Sequence, residues 1–257
     1  MLEFVDMIKD IINKLHSELP ATVRLVAVSK FHPFEAIQEA YDAGQRVFAE
    51  SRPQELMAKV RCLDEVRTMM VEDAVATGGD VEAAKAYMSD VKWHFIGHLQ
   101  TNKLKMVLPY ASLIQSVDSV RLLDAIQAWG AANGKIISVL LEPHVAAEES
   151  KQGFDAEEIY DILSRAVDCS GGQSGAYPNI RFSGIMGMAT FTDDQSVIAA
   201  DFAALRSIFE TCRSKFSTLS ADFTELSIGM SDDYPIAIKY GSTMIRVGSM
   251  IFGERNY

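Results

Sequence analysis

The chain has 257 residues, 48% of them hydrophobic and 23% charged. That balance excludes a disordered tail protein and suits a globular fold with a core large enough to need no covalent staples. Its 24 Lys and Arg against 35 Asp and Glu leave a formal net charge of −11, which argues against a general nucleic-acid or membrane-surface binder and leaves room for a local phosphate pocket.

The opening segment reads as an amphipathic helix from about Glu3 to Leu19, stopped by Pro20. It lacks the basic start and continuous apolar run of a signal peptide, and no stretch reaches the roughly 18 apolar residues of a membrane helix, so the expectation is a cytoplasmic protein. The run LVAVSK (Leu25 to Lys30) then reads as a strand, and FEAIQEAYDAG as a helix with Phe34, Ile37, Ala40 and Tyr41 on one face and Gly44 as its stop. The rhythm repeats. RVFAES (Arg46 to Ser51) leads into a long helical region, WHFIG (Trp93 to Gly97) into a short helix from Asn102, and SLIQSVDS (Ser112 to Ser119) into a helix through about Ala132. KIISVLLEPH (Lys135 to His144) precedes a helix from Ala156 to Val167, FSGIMGM (Phe182 to Met188) one from Asp193 to Lys215, and ELSIGMS (Glu225 to Ser231) one from Asp232 to Lys239. TMIRVGSMIFG (Thr243 to Gly253) is the eighth strand run.

Eight buried strands alternating with helices predict an all-parallel sheet closed into a (β/α)8 TIM barrel with an extra N-terminal helix, a single domain over residues 1–257. No Gly-x-Gly-x-x-Gly follows a strand, which weakens a dinucleotide-binding reading. Leu63 to Asp90, which carries TGGD, and the Gly- and Ser-rich Asp168 to Asn179 break the rhythm without resembling interdomain linkers. Cys62, Cys169 and Cys212 are too scattered for a disulfide framework or a zinc site.

In such a barrel, chemistry sits at the C-terminal ends of the strands. Those ends are Ser29-Lys30, Glu50-Ser51, Gly97-His98, Asp118, His144, Met188, Ser231, and Arg246 with Gly248-Ser249. A lysine ending an apolar strand, as Lys30 does, can lose hydration and present a neutral amine for imine formation; the plain alternative is a surface lysine. GMSDD and GSTMIRVGS supply hydroxyls, glycines and one arginine near strands seven and eight, where barrels often bind phosphate. Arg246 serves a ligand or pairs with Asp232 or Asp233. His94 and His98 stand four apart, but on a strand rather than a helix, which disfavours a metal site. Asp232 and Asp233 read as cap and dipole partner of a helix, and the methionines of FSGIMGMAT as core.

LVAVSKFHP, FAESRPQEL, WHFIGHLQTNK, FSGIMGMAT and LSIGMSDDYPIAIKYGSTMIRVGSMIFGERNY, in this order along nearly the whole chain, resemble the pyridoxal phosphate homeostasis protein family, the alanine-racemase-like barrels. The resemblance implies a barrel that holds pyridoxal 5′-phosphate (PLP) as a Schiff base. Position by position it makes Lys30 the Schiff-base lysine, Ser231 a phosphate-binding serine, Arg246 the partner of the pyridine nitrogen, and Gly248 and Ser249 backbone donors to the phosphate. The family's second strand usually continues Gly-Glu-Asn, where this chain has Ala49-Glu50-Ser51, so Ser51 is expected to make a shorter cofactor contact. The stretch between Gln54 and Trp93 is longer than the family pattern, an insertion that could reshape the pocket rim.

Related racemases draw a second-face tyrosine from a separate C-terminal β-domain. Here Tyr257 follows directly on strand eight, so the expectation is no such domain. An arginine opposite the ring nitrogen keeps its own proton and leaves the ring a weak electron sink. The resemblance therefore implies intracellular PLP homeostasis without dedicated catalysis, with PLP-dependent apo-enzymes as partners; because the sequence shows no strong interface stripe, a monomeric state is expected. A low-activity amino-acid racemase is the alternative, and a barrel that lost its cofactor and serves only as an interaction module is the third reading.

Overall fold

The structure, a computed structural model, describes residues 2–145, 153–167, 175–219 and 221–253. In chain order its elements are α1 (Leu2–Glu18), β1 (Arg24–Val28), α2 (Phe34–Asp42), β2 (Val47–Glu50), α3 (Pro53–Thr77), α4 (Val81–Ala86), β3 (Lys92–Phe95), α5 (Leu104–Val107), β4 (Ala111–Val117) and α6 (Val120–Asn133). They continue as β5 (Ile137–Leu141), α7 (Ala156–Val167), β6 (Ile180–Met186), α8 (Gln195–Lys215), β7 (Glu225–Ser227), α9 (Tyr234–Lys239), β8 (Met244–Val247) and α10 (Ser249–Phe252), with short 3-10 turns at Thr101–Lys103 and Ser217–Leu219. Each strand pairs in parallel with its neighbour in sequence, and β1 closes on β8 in the register Arg24↔Met244 to Ala27↔Val247. The expected (β/α)8 barrel is the observed fold.

Strands buried on both faces must be apolar on both, which is why they read as runs rather than alternations. The two faces nevertheless separate by period two. Val26, Val28, Val47, Ala49, Leu113, Leu140, Met186 and Met244 form the plug inside the barrel, whereas Leu25, Ala27, Phe48, Phe95, Leu226 and Ile245 belong to the larger core. That parity decides which strand-end residues look into the barrel mouth and which look into the helical layer.

Ile8, Ile12 and Leu15 give α1 one fully buried stripe, and α1 packs against α2 and α10. It thereby fills the place in the helical ring that the single turn of α10 leaves open. The stretch between Gln54 and Trp93 becomes the 25-residue α3, stopped by Gly78 in the left-handed conformation, followed by α4, which Asp80 caps.

Several predicted boundaries shift. The eighth run does not stay extended to Gly253, because Gly248 caps a helical turn from Ser249 to Phe252. The helix after strand seven starts at Tyr234, not Asp232; Asp233 sits at the N-cap, and its carboxylate accepts from the backbone N–H of Met230 rather than from the helix. Cys169 and part of the Asp168 to Asn179 loop lie outside the described residues. Among the described residues, no helix is long and apolar enough to cross a membrane.

Candidate functional site

The predicted strand ends lie past the last hydrogen-bonded residue in most cases: Lys30 is two residues beyond β1, Ser51 one beyond β2, Gly97 two beyond β3 and Ser231 four beyond β7. Continuing the inner-face parity places Lys30 after Val28, Ser51 after Ala49, and Arg246 and Gly248 after Met244. These residues converge. Lys30, Ser51, Ser231, Arg246, Gly248 and Ser249 line one cavity of about 370 Å³ at the C-terminal mouth of the barrel, with His32 and Met188 also on its wall.

Arg246 forms the floor. It is 4% exposed, and no carboxylate among the described residues bonds it. Nη1 donates to Ser227 O (2.7 Å) and Ser227 Oγ (2.8 Å), and Nη2 donates to Gly187 O (3.0 Å). The alternative of direct pairing with Asp232 or Asp233 is thus replaced by neutral acceptors. Burial lowers the guanidinium to about 10, with Glu142 and Asp233 acting from further away in the opposite direction. Ser227 Oγ passes the chain on by donating to Gln115 Oε1 at 2.7 Å, and Gln115 Nε2 reaches His94 Nδ1 at 2.9 Å. Burial holds His94 down to about 3, so it is neutral.

The wall beside Arg246 is made of small polar groups. Gly248 N donates to Ser231 Oγ (3.4 Å), and Ser249 Oγ donates to the same atom (3.2 Å). A hydroxyl that accepts twice has its own proton left to donate. Position 248 admits no side chain without displacement: a Cβ would stand 3.2 Å from Val28 O and 3.3 Å from Val28 Cβ. The result is backbone N–H groups at the start of α10, two hydroxyls and a buried cation around one space. This donor set fits a phosphorylated, electron-rich ligand, and Lys30 supplies an amine to the same cavity. The residues present therefore fit PLP.

A second cavity of about 620 Å³ adjoins the first, sharing Met188, Phe191, Met230 and Asp232 with it and adding Glu142, His144 and Asp233. Burial raises the Glu142 carboxyl to about 7, with Arg246 opposing and Asp118 reinforcing. Met188, expected in the core, is 47% exposed on this rim, whereas Met186 is buried as expected. His98 and Asp118 bond each other at 2.8 Å. Because the strand ends at Phe95, His98 does not share the barrel-interior position of His94. Among the described residues, no group of three or more His, Cys, Asp or Glu could hold a metal ion.

Sequence reasoning missed Gln115 and Ser227, although a polar residue inside an apolar strand run is a readable signal of an inward polar layer. It also grouped Glu50 with Ser51 at the mouth. Parity turns Glu50 outward, where it is fully buried beneath α3, accepting from Ser29 Oγ at 2.6 Å and paired with Lys59.

Residues 5–256 match the family described as alanine racemase, N-terminal domain. A human protein named pyridoxal phosphate homeostasis protein is 35% identical over 247 residues, covering 93% of this chain and 80% of that protein. The protein of the same name from Aquifex aeolicus is 30% identical over 234 residues, covering 91% and 88%. The structure of PipY from Synechococcus elongatus, solved with PLP bound, superposes with a TM-score of 0.76 at 31% identity and covers 96% of this chain and all of that one. Alanine racemase from Corynebacterium glutamicum shares the fold at 12% identity and a TM-score of 0.62, with 62% of its length covered.

Proposed function

Since the chain belongs to the pyridoxal phosphate homeostasis protein family, within the alanine racemase N-terminal domain fold, we propose that it is a PLP carrier of intracellular PLP homeostasis, holding the cofactor covalently on Lys30 without a dedicated catalytic reaction. The observation that carries this reading is the convergence of Lys30, Arg246, Ser231, Gly248, Ser249 and Ser51 on one cavity. The cofactor, when bound, supplies an aldehyde that condenses reversibly with amines.

The residues divide the work. Lys30 provides the amine. Ser231, Ser249 and the N–H groups at the start of α10 take the phosphate, where a helix start and hydroxyl donors suit a dianion. Ser51 lines the wall with a shorter side chain than the asparagine usual in the family. Arg246 would donate to the ring nitrogen and keep its own proton, since a guanidinium at about 10 stays charged at neutral pH. It therefore orients the ring without protonating it, which favours amine exchange at Lys30 over carbanion chemistry. All six residues belong to one barrel, which suits a monomeric cytoplasmic carrier whose recipients are PLP-dependent apo-enzymes.

The test is borohydride reduction of the PLP-loaded protein followed by peptide mapping, with Lys30→Ala as control. The pyridoxyl group is expected on Lys30; an adduct mainly on Lys103 or Lys239 overturns the assignment. Wild-type protein should exchange its cofactor with added amino acids without sustained turnover. Repeated racemisation of L-alanine or L-serine, abolished in Lys30→Ala, overturns the carrier reading.

A further inference from the structure

The segment that carries Lys30 is a four-residue turn. His32 N donates to Ser29 O at 3.1 Å, closing Ser29-Lys30-Phe31-His32, with Lys30 in the second position and Phe31 in the third. Phe31 has φ = +67°, one of two non-glycine residues with positive φ among those described. The third position of a tight turn with positive φ is where glycine or asparagine is preferred, and a bulky side chain there is strained. Such strain persists only where surrounding contacts over-determine it.

One stretch, ESRPQELMAK (50–59), supplies such contacts. Glu55 Oε2 accepts the Phe31 N–H at 2.8 Å. Arg52 lies over the Phe31 ring at 4.4 Å and contacts Glu55 at 3.5 Å. Four residues further along α3, on the same helix face, Lys59 Nζ donates to Ser29 O at 2.6 Å and pairs with Glu50, which also accepts from Ser29 Oγ. The residues on both sides of Lys30 are therefore held from α3 and the end of β2. The Glu50–Lys59 pair is fully buried, and Glu50 Oε2 has no hydrogen-bond partner among the described residues. An ion pair in that condition contributes little net stability, and fixing geometry is the better-attested use of such groups.

We infer that Glu55 is a positioning residue for the Lys30 amine: by holding the Phe31 N–H it keeps the turn in its left-handed conformation and aims Lys30 into the cavity, while Lys59 and Glu50 anchor the turn's first residue. The inference rests on the reading of Lys30 as the cofactor amine, yet the direction in which Lys30 points is open to measurement without cofactor.

The experiment compares wild type, Glu55→Ala, Glu55→Gln and the double variant Glu55→Ala/Phe31→Gly. Two rates are measured at fixed pH: acylation of Lys30 by acetic anhydride in the cofactor-free protein, mapped by mass spectrometry, and formation of the borohydride-trapped pyridoxyl group on Lys30. Glu55→Ala is expected to slow trapping by about tenfold, equivalent to ~1.4 kcal/mol, and to shift the acylation rate. Glu55→Gln keeps an acceptor oxygen and should behave as wild type. Glycine adopts positive φ without strain, so Phe31→Gly should restore most of what Glu55→Ala loses. A purely stabilising Glu55 would lower Tm without this rescue. Unchanged Lys30 rates in Glu55→Ala, equal losses in Ala and Gln, or no rescue by Phe31→Gly each overturn the inference. A pyridoxyl group on another lysine, with the acylation pattern at Lys30 as expected, overturns the cofactor reading and leaves the positioning role standing.

Discussion

The two halves of the barrel mouth each bury a cation and treat it differently. Beneath the β1–β2 side, Lys59 is matched to the Glu50 carboxylate, so the charge is cancelled within the protein and the pair serves as scaffold. On the β7–β8 side, Arg246 donates, among the described residues, to Gly187 and Ser227 oxygens. Among the described residues no carboxylate contacts it, and it lines the cavity. A buried cation without a carboxylate in contact is expensive for an empty site, and the cost is offset when an electron-rich ligand arrives. One region holds shape and the other, on the proposed reading, recruits a ligand, a difference that a net charge of −11 conceals.

The largest expected effect breaks the scaffold side. Lys59→Met strands the Glu50 carboxylate and should cost about 3–5 kcal/mol in urea unfolding, while adding Glu50→Leu should recover most of it; equal loss in single and double variants would show that the pair is not self-contained. Breaking the recruiting side should act on the ligand first. Arg246→Ala removes charge-assisted donors worth about 1.5–3 kcal/mol each, so PLP titration should show weakening of about ten- to hundredfold. In Arg246→Glu, which offers the ring nitrogen a carboxylate, the bound cofactor should show an altered absorption spectrum. An unchanged spectrum would mean that Arg246 does not touch the ring.

Gly97→Ala sharpens the boundary between the two regions. A Cβ there would stand 2.0 Å from Ser51 O, so the end of β2 must move, at an overpacking cost of about 1–3 kcal/mol. Thermal unfolding should detect this, and Ser51, on the scaffold side, should be displaced more than the Arg246 side, readable as a change in near-ultraviolet circular dichroism with little change in phosphate binding.

A pH dependence probes the neighbouring cavity rather than either cation. Glu142 ionises at about 7 in the fold against an ordinary 4.5. Below pH 4.5 its carboxyl is protonated in both states and carries no penalty. Between 4.5 and 7 the unfolded chain releases the proton while the folded one keeps it, so folding stability falls as pH rises. Glu142→Gln should abolish this decline, and the gap between variant and wild type in urea unfolding should widen up to about pH 7 and then level off. A parallel pH profile for the two proteins would place the burial effect elsewhere.

The architecture is legible in the sequence because a parallel barrel writes itself as eight apolar runs spaced by helices, and the start of the helix at Ala156 is placed to the residue. The mouth was legible in part. Lys30 and Arg246 stood out as polar residues at the ends of apolar runs. Glu50 could not be separated from Ser51 by adjacency, because only strand pairing tells which of two neighbours faces inward. Glu55 and Lys59 are not singled out by the sequence, since nothing local to PQELMAK shows that this face lies under the turn after β1. The eighth run read as continuously extended because SMIF is apolar in either conformation, and the cap at Gly248 is set by its packing against Val28.

The register that joins β1 to β8, with Arg24 beside Met244, has a consequence for synthesis. Lys30 leaves the ribosome early and Arg246 more than two hundred residues later, and the packing of α1 on α10 spans a similar interval. Contacts of such sequence separation are slow to form and lie late on the folding route. A growing chain displays the Lys30 amine long before it possesses Arg246 and the Ser231–Ser249 wall, so on the proposed reading specific capture of the cofactor awaits closure of the barrel seam and becomes a marker of completed folding.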